Sequence, residues 1–115
     1  MDNRIDDKDL EFVNGGVNSS EEAISGAIGL LQEAVILCEQ SRQFMRFLYE
    51  PRISGLIQRL QSCNGDSDVI IDVVEELSCI KIELDHDSDH LPDGAEQRTY
   101  KAVYACLIRA ENQLS

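Results

Sequence analysis

Ile24, Ile28, Leu31, Val35, Cys38, Met45 and Leu48 recur at alternating steps of four and three residues, interrupted only at Arg42. A chain with apolar side chains at this period carries them on one side of an α-helix and must bury that side against something else. The segment opens at S19-S20-E21-E22, where Ser19 followed three places on by Glu22 has the form of a capping box that satisfies free amides at a helix start. Helix-forming residues continue to Glu50, and Pro51 is predicted to stop the run, because the residue before a proline is pushed out of helical geometry. Such a helix would be about 45 Å long at roughly 1.5 Å per residue. That length suits a bundle or a helical hairpin.

Three further segments follow. Ile53, Leu56, Ile57 and Leu60 predict a short amphipathic helix that ends in the polar run S62-C-N-G-D-S-D68, broken at Gly65. Val69 to Leu84 is rich in β-branched residues, yet Ile70, Val73, Leu77, Ile80 and Leu84 keep a helical stripe over a span longer than an ordinary strand. After D85-H-D-S-D-H-L-P-D-G94, Tyr100, Val103, Leu107, Ala110 and Leu114 share one face of a last helix. Asp66 or Asp68 is placed to cap the third helix, and Asp93 with Glu96 to cap the fourth. The expectation is an all-α fold, a small bundle of about four helices with a long first helix. Residues 19–115 form its single domain, and residues 1–18 a flexible acidic segment before it. At 115 residues with no Trp, three Phe and three Tyr, the chain supports one modest core made of aliphatic side chains.

The net charge of −12 is uneven. Residues 64–99 hold eleven acids against two bases, whereas Arg42, Arg46, Arg52 and Arg59 cluster in the first half. The balance argues against nucleic acid, whose binding draws on clustered Lys and Arg, and suits a cationic partner through Asp66, Asp68, Asp72, Asp85, Asp87, Asp89 and Asp93. No apolar run is long enough for a membrane span. Cys38, Cys63, Cys79 and Cys106 have neither C-x-x-C nor paired metal-ligand spacing, and Cys38 and Cys106 lie in apolar runs. They read as reduced side chains of a cytoplasmic protein. The alternative is two disulfides in an exported product, with three pairings open.

One short motif is more specific. In D9-L10-E11-F12-V13-N14-G15-G16, an acid precedes a leucine, a branched apolar residue follows three places on, and two glycines close the stretch. Asp9, Leu10, Val13, Gly15 and Gly16 resemble the double-glycine leader of peptides exported by peptidase-containing ABC transporters, the bacteriocin and microcin type, and Ile5 stands where that family prefers leucine. The resemblance covers residues 1–16 only. It implies apolar side chains filling a groove on the peptidase and a cut after Gly16, where residues without Cβ let the backbone enter a narrow cleft. Asp6 departs from the serine usual there, and the remaining 99 residues are not short, cationic and glycine-rich as many such products are.

Asp85, Asp87, Asp89, Asp93 and Glu96 follow the oxygen spacing of an EF-hand calcium loop, but His90 stands where that loop needs glycine and Pro92 where it needs a branched apolar residue. The pattern reads as a solvated polar loop, His86 and His90 included, and no metal or other cofactor is expected. No serine elbow, phosphate loop or Cys–His pair is present, so the chain reads as a non-enzyme. The first helix is apolar on more than one side, with Leu30, Ile36, Leu37, Phe44 and Phe47 beside or off its stripe. Those five predict a protein-facing surface, a partner helix or a homodimer. The functional expectation is a bacterial accessory or interaction protein (chaperone, adaptor or immunity-type binder) using that apolar face or the acidic one. An exported double-glycine product is the alternative, and an acidic mimic of nucleic acid ranks third.

Overall fold

A computed structural model describes residues 21–41, 43–88 and 94–115. They form four helices, α1 (Glu21–Gln40), α2 (Gln43–Cys63), α3 (Ser67–Ser88) and α4 (Ala95–Leu114), with no strand among the described residues. The fold is an all-α bundle whose first helix, at 20 residues, is matched in length by the others. Each helix packs on two neighbours in the ring α1–α2–α3–α4, and the diagonal pairs make no close backbone approach.

Side-chain pairings set the directions. Arg52 with Glu83 and Arg59 with Glu76 run in opposite senses along α2 and α3, and Gly26 of α1 lies against Gln113 near the end of α4. Successive helices are antiparallel. The core is one continuous cluster, to which α1 gives Ile24, Ala27, Leu31, Ala34 and Cys38, and α4 gives Tyr100, Val103, Cys106, Leu107, Ala110 and Leu114. In α1 the small Ala27 and Ala34 are fully buried while Ile28 and Val35 are only partly so, which turns the core face one residue away from the predicted stripe. Alanine at these contacts lets the neighbouring helices approach closely.

The first helix does not run to Pro51. It ends at Gln40, and both the amide (3.1 Å) and the hydroxyl (2.6 Å) of Ser41 donate to the Cys38 carbonyl, closing the last turn. The physical reason lies in the stripe: a continuous rod would carry Ser41 and Arg42 onto the buried side after Cys38, so the chain turns there. Arg42 itself lies outside the described residues. Pro51 sits in the third turn of α2, exposed, while Met45, Tyr49, Ile53, Leu56 and Leu60 are buried along the opposite side. Burial of five large side chains on either side of the proline outweighs the roughly 3 kcal/mol that proline costs inside a helix. The register also moves Leu48 off the core, to 42% exposure.

Asn64 (φ 48°) and Gly65 (φ 85°) take left-handed backbone to reverse the chain between α2 and α3. Asp66 then caps α3 as its position suggests, accepting from the amides of Asp68 (2.9 Å) and Val69 (3.4 Å). At α4 the cap position is Gly94 (φ 111°), with no side-chain cap bond. Asp93, expected in that role, and the Ser19 box lie outside the described residues.

Candidate functional site

The outward side of α2 is apolar for two turns. Phe44, Phe47, Leu48 and Pro51 are exposed and spaced i, i+3, i+4, i+7, which places them in one stripe diametrically opposite the buried Tyr49, Ile53 and Leu56. The phenyl groups are 55% and 70% exposed, large values for aromatic side chains. One and two turns further, Ser54 and Gln58 continue the same side into a groove against Gln32, Val35 and Ile36 of α1, and none of the groove's lining residues is charged. The arginines flank the stripe: Arg52 and Arg59 turn towards α3 and pair with Glu83 and Glu76, while Arg46 pairs along the helix with Glu50.

Of the five apolar residues expected at a partner surface, Ile36, Phe44 and Phe47 are exposed. Leu30 and Leu37 are half-buried against the core, because their positions on α1 adjoin its buried stripe. Leu48 and Pro51, which sequence reasoning assigned to a core stripe and to a helix stop, complete the face instead. Ile71 and Ile82 are exposed on α3, a separate surface that was not anticipated.

The acids do not converge. Asp66, Asp68 and Asp72 stand near the α2–α3 turn, and Asp85 and Asp87 near the other end of α3, about 20 Å from Asp72 at roughly 1.5 Å per residue. Asp66 is occupied as a cap and Asp87 accepts a 2.6 Å hydrogen bond from Tyr49. Asp89, His90 and Asp93 lie outside the described residues. The calcium-like spacing is not a loop at its start, since α3 continues through Asp85, His86 and Asp87 to Ser88, and Glu96 falls in the first turn of α4. Helix formation there follows from Leu84, which is buried and holds the last turns of α3 against the core. Among the described residues no three His, Cys, Asp or Glu side chains are grouped to hold a metal ion.

Beneath the acidic end lies a polar cluster that the stripes concealed. The Tyr49 and Tyr100 rings meet edge to face with centroids 6.1 Å apart, and the Tyr49 hydroxyl donates to Asp87 Oδ2. The Tyr100 hydroxyl is fully buried, near that of Tyr49 but without a hydrogen-bond partner among the described residues. Burial raises both phenols, reinforced at Tyr49 by the bond to Asp87, so each keeps its proton. Burial pushes the Cys38 thiol up to about 12, with Glu50 adding to it, and raises Cys106 as well. These are held thiols, not nucleophiles. All four cysteines are free, and Cys79 alone is exposed. Between α3 and α4, Lys81 pairs with Glu111, which also accepts from Ser78 (2.8 Å), and burial lowers the lysine. A cleft of about 190 Å³ between Leu84, Asp85, Gln97 and Lys101 is also lined by Tyr100 and Tyr104.

The arrangement defines an antiparallel four-helix bundle with one apolar stripe turned to solvent. No known protein family, curated protein or solved structure matches the chain. Among the described residues no helix is long and apolar enough to cross a membrane.

Proposed function

We propose that this chain is a non-catalytic interaction protein, of the chaperone, adaptor or immunity type, that docks a protein partner on the outer side of α2. One observation carries the reading: Phe44, Phe47, Leu48 and Pro51 occupy successive turns on the side of α2 opposite the core, exposed and free of interposed charge. An amphipathic helix laid into a groove uses anchors at this spacing, and large aromatic groups at the centre of a contact carry most of its energy. Docking through the acids has less support, because Asp66 and Asp87 hold the fold and the other described ones, Asp68, Asp72 and Asp85, divide between the ends of α3.

The test is photo-crosslinking in the native host, with a photoreactive phenylalanine analogue at position 47 and, as control, at the exposed position 72. A discrete protein product from position 47 and none from 72 is the expected result. Products from 72 alone would overturn the reading in favour of a charged partner.

A second reading rests on Asp9, Leu10, Val13, Gly15 and Gly16: an exported bacteriocin- or microcin-like product cut after Gly16. The four helices begin at Glu21, so that cut leaves all of them whole. Intact mass of the protein from cells and from medium separates the readings. A species in the medium that begins at Val17 supports export, and full-length chain confined to the cells overturns it.

A further inference from the structure

The geometry points to a second site, independent of the α2 face: the cleft between α3 and α4 binds a small zwitterion, a free amino acid with a large apolar side chain. Gln97, Tyr100, Lys101 and Tyr104 line the cleft from α4 at i, i+3, i+4 and i+7, so one side of that helix brings an amide, two phenols and an ammonium together. Leu84 and Asp85 form the opposing wall from α3. The cleft has a volume of about 190 Å³, more than the roughly 150 Å³ cavity that accepts benzene. An apolar ring or branched chain therefore fits with a polar head beside it.

Two of the lining side chains lack the partner that their chemistry calls for. Tyr100 is 3% exposed, and its hydroxyl is the one buried side-chain polar atom without a hydrogen-bond partner among the described residues. A group so placed costs stability unless something else satisfies it. Lys101 has no carboxylate within pairing distance among the described residues, although Asp85 lines the same cleft. Three other cations that stand between helices are each matched, Lys81 with Glu111, Arg52 with Glu83 and Arg59 with Glu76. A ligand carboxylate seated between Lys101 and Tyr100 supplies both acceptors at once. Charge then selects the rest of the ligand. A bare anion meets Asp85 and a chain of net charge −12, and a bare cation meets Lys101. An ammonium on the carbon next to the carboxylate turns towards Asp85 and leaves the ligand neutral. Leu84 and the Tyr104 ring are the apolar surfaces that cover its side chain.

Amide NMR titration of the purified full-length chain tests the site, with phenylalanine as the probe and circular dichroism to establish that each variant is folded. Phenylalanine shifts the amides around Leu84 and Asp85 and from Gln97 to Tyr104, saturating with a dissociation constant below about 1 mM, a range open to a ligand of so few atoms. Phenylalanine amide, which lacks the carboxylate, and N-acetylphenylalanine, which lacks the ammonium, each bind at least about tenfold more weakly, the loss expected when a charged hydrogen bond goes unmade. Glycine, which lacks the apolar body, is weaker still. Lys101→Met lowers the affinity at least about tenfold, and Tyr100→Phe lowers it several-fold while leaving the fold intact. Absence of a saturable shift with phenylalanine and with leucine overturns the proposal, as does a Lys101→Met variant that binds as the wild type does, or saturation of α2 amides instead. Equal binding of N-acetylphenylalanine overturns the zwitterion in favour of a plain carboxylate. The crosslink from position 47 reads the α2 face separately, so the docking role stands or falls by its own result.

Discussion

Pro51→Ala measures how α2 survives a proline in its interior. Proline lacks the amide that would donate to the Phe47 carbonyl and costs about 3 kcal/mol relative to alanine inside a helix. Because Pro51 is exposed on the side away from the core, replacing its ring removes no core packing. Against the gain stands the stiffness that proline gives the unfolded chain, about 0.4–1 kcal/mol. The net expectation is a variant more stable by about 2 kcal/mol, or roughly 8–16 °C in Tm at 4–8 °C per kcal/mol for a domain of this size. Urea unfolding followed at 222 nm reads the change as a shift of the midpoint with an unaltered slope. An unchanged or lowered stability would refute the reasoning. It would mean that the ring packs usefully against Phe47 or Leu48, or that the helix is broken at the proline.

The two tyrosines give opposite signs. Tyr49→Phe removes a hydrogen bond to the Asp87 carboxylate and should cost about 1.5–3 kcal/mol, whereas Tyr100→Phe removes a buried hydroxyl without a partner among the described residues and should leave stability equal or about 1 kcal/mol higher. Equal losses in chemical denaturation would refute that assignment. Alkaline pH should weaken the fold. Tyr49, Tyr100, Cys38 and Cys106 are all raised by burial and favour their neutral forms in the folded chain, so their contribution is complete below the ordinary values of 9.0 for the thiol and 10.0 for the phenol. It is lost as pH climbs from 9.0 towards the Cys38 value of about 12; a denaturation midpoint that is flat to about pH 11 would contradict it. Gly29→Ala should stabilise α1 by about 0.5–1 kcal/mol, since its new methyl meets nothing within 4 Å, and Gly26→Ala should gain less because Gln113 Oε1 stands 3.1 Å from the added Cβ. Thermal unfolding of the two variants should rank them in that order.

The helices were legible where one side of the chain alone is apolar. Val73, Leu77, Ile80 and Leu84 in α3, and Tyr100, Val103, Leu107, Ala110 and Leu114 in α4, are buried as their spacing demands. The boundary between α1 and α2 was not legible by local rules, because the two strongest local signals compete. Pro51 is the stronger helix breaker, yet it faces water, where its missing amide leaves the Phe47 carbonyl open to solvent. Ser41 and Arg42 are tolerated in a helix, but a continuous helix would carry them inward. The gap at Arg42 in the stripe was therefore the decisive mark. A polar residue on the core side of a long helix moves the break to itself, since charge burial costs more than a solvated proline.

The same competition explains the candidate site. Extending one helix through residue 50 assigns Leu48 to the core and Phe47 to its edge; once the chain turns at Ser41, the side of α2 that must be buried is set by Met45, Tyr49, Ile53 and Leu56, and Phe44, Phe47, Leu48 and Pro51 rotate outward together. An apolar excess in α2 was visible, but which half of it faced the core depended on that turn. The acidic surface failed to converge for a related reason: one helix carries Asp68, Asp72, Asp85 and Asp87, and helix length turns closeness in a list of residues into distance along a rod. The basic residues of α2 draw Glu76 and Glu83 to one flank. What α3 leaves outward is mostly negative charge, with Ile71 and Ile82 exposed among it. α2 and α4 both carry more bases than acids, and of the two it is α2 that turns exposed phenyl rings to solvent.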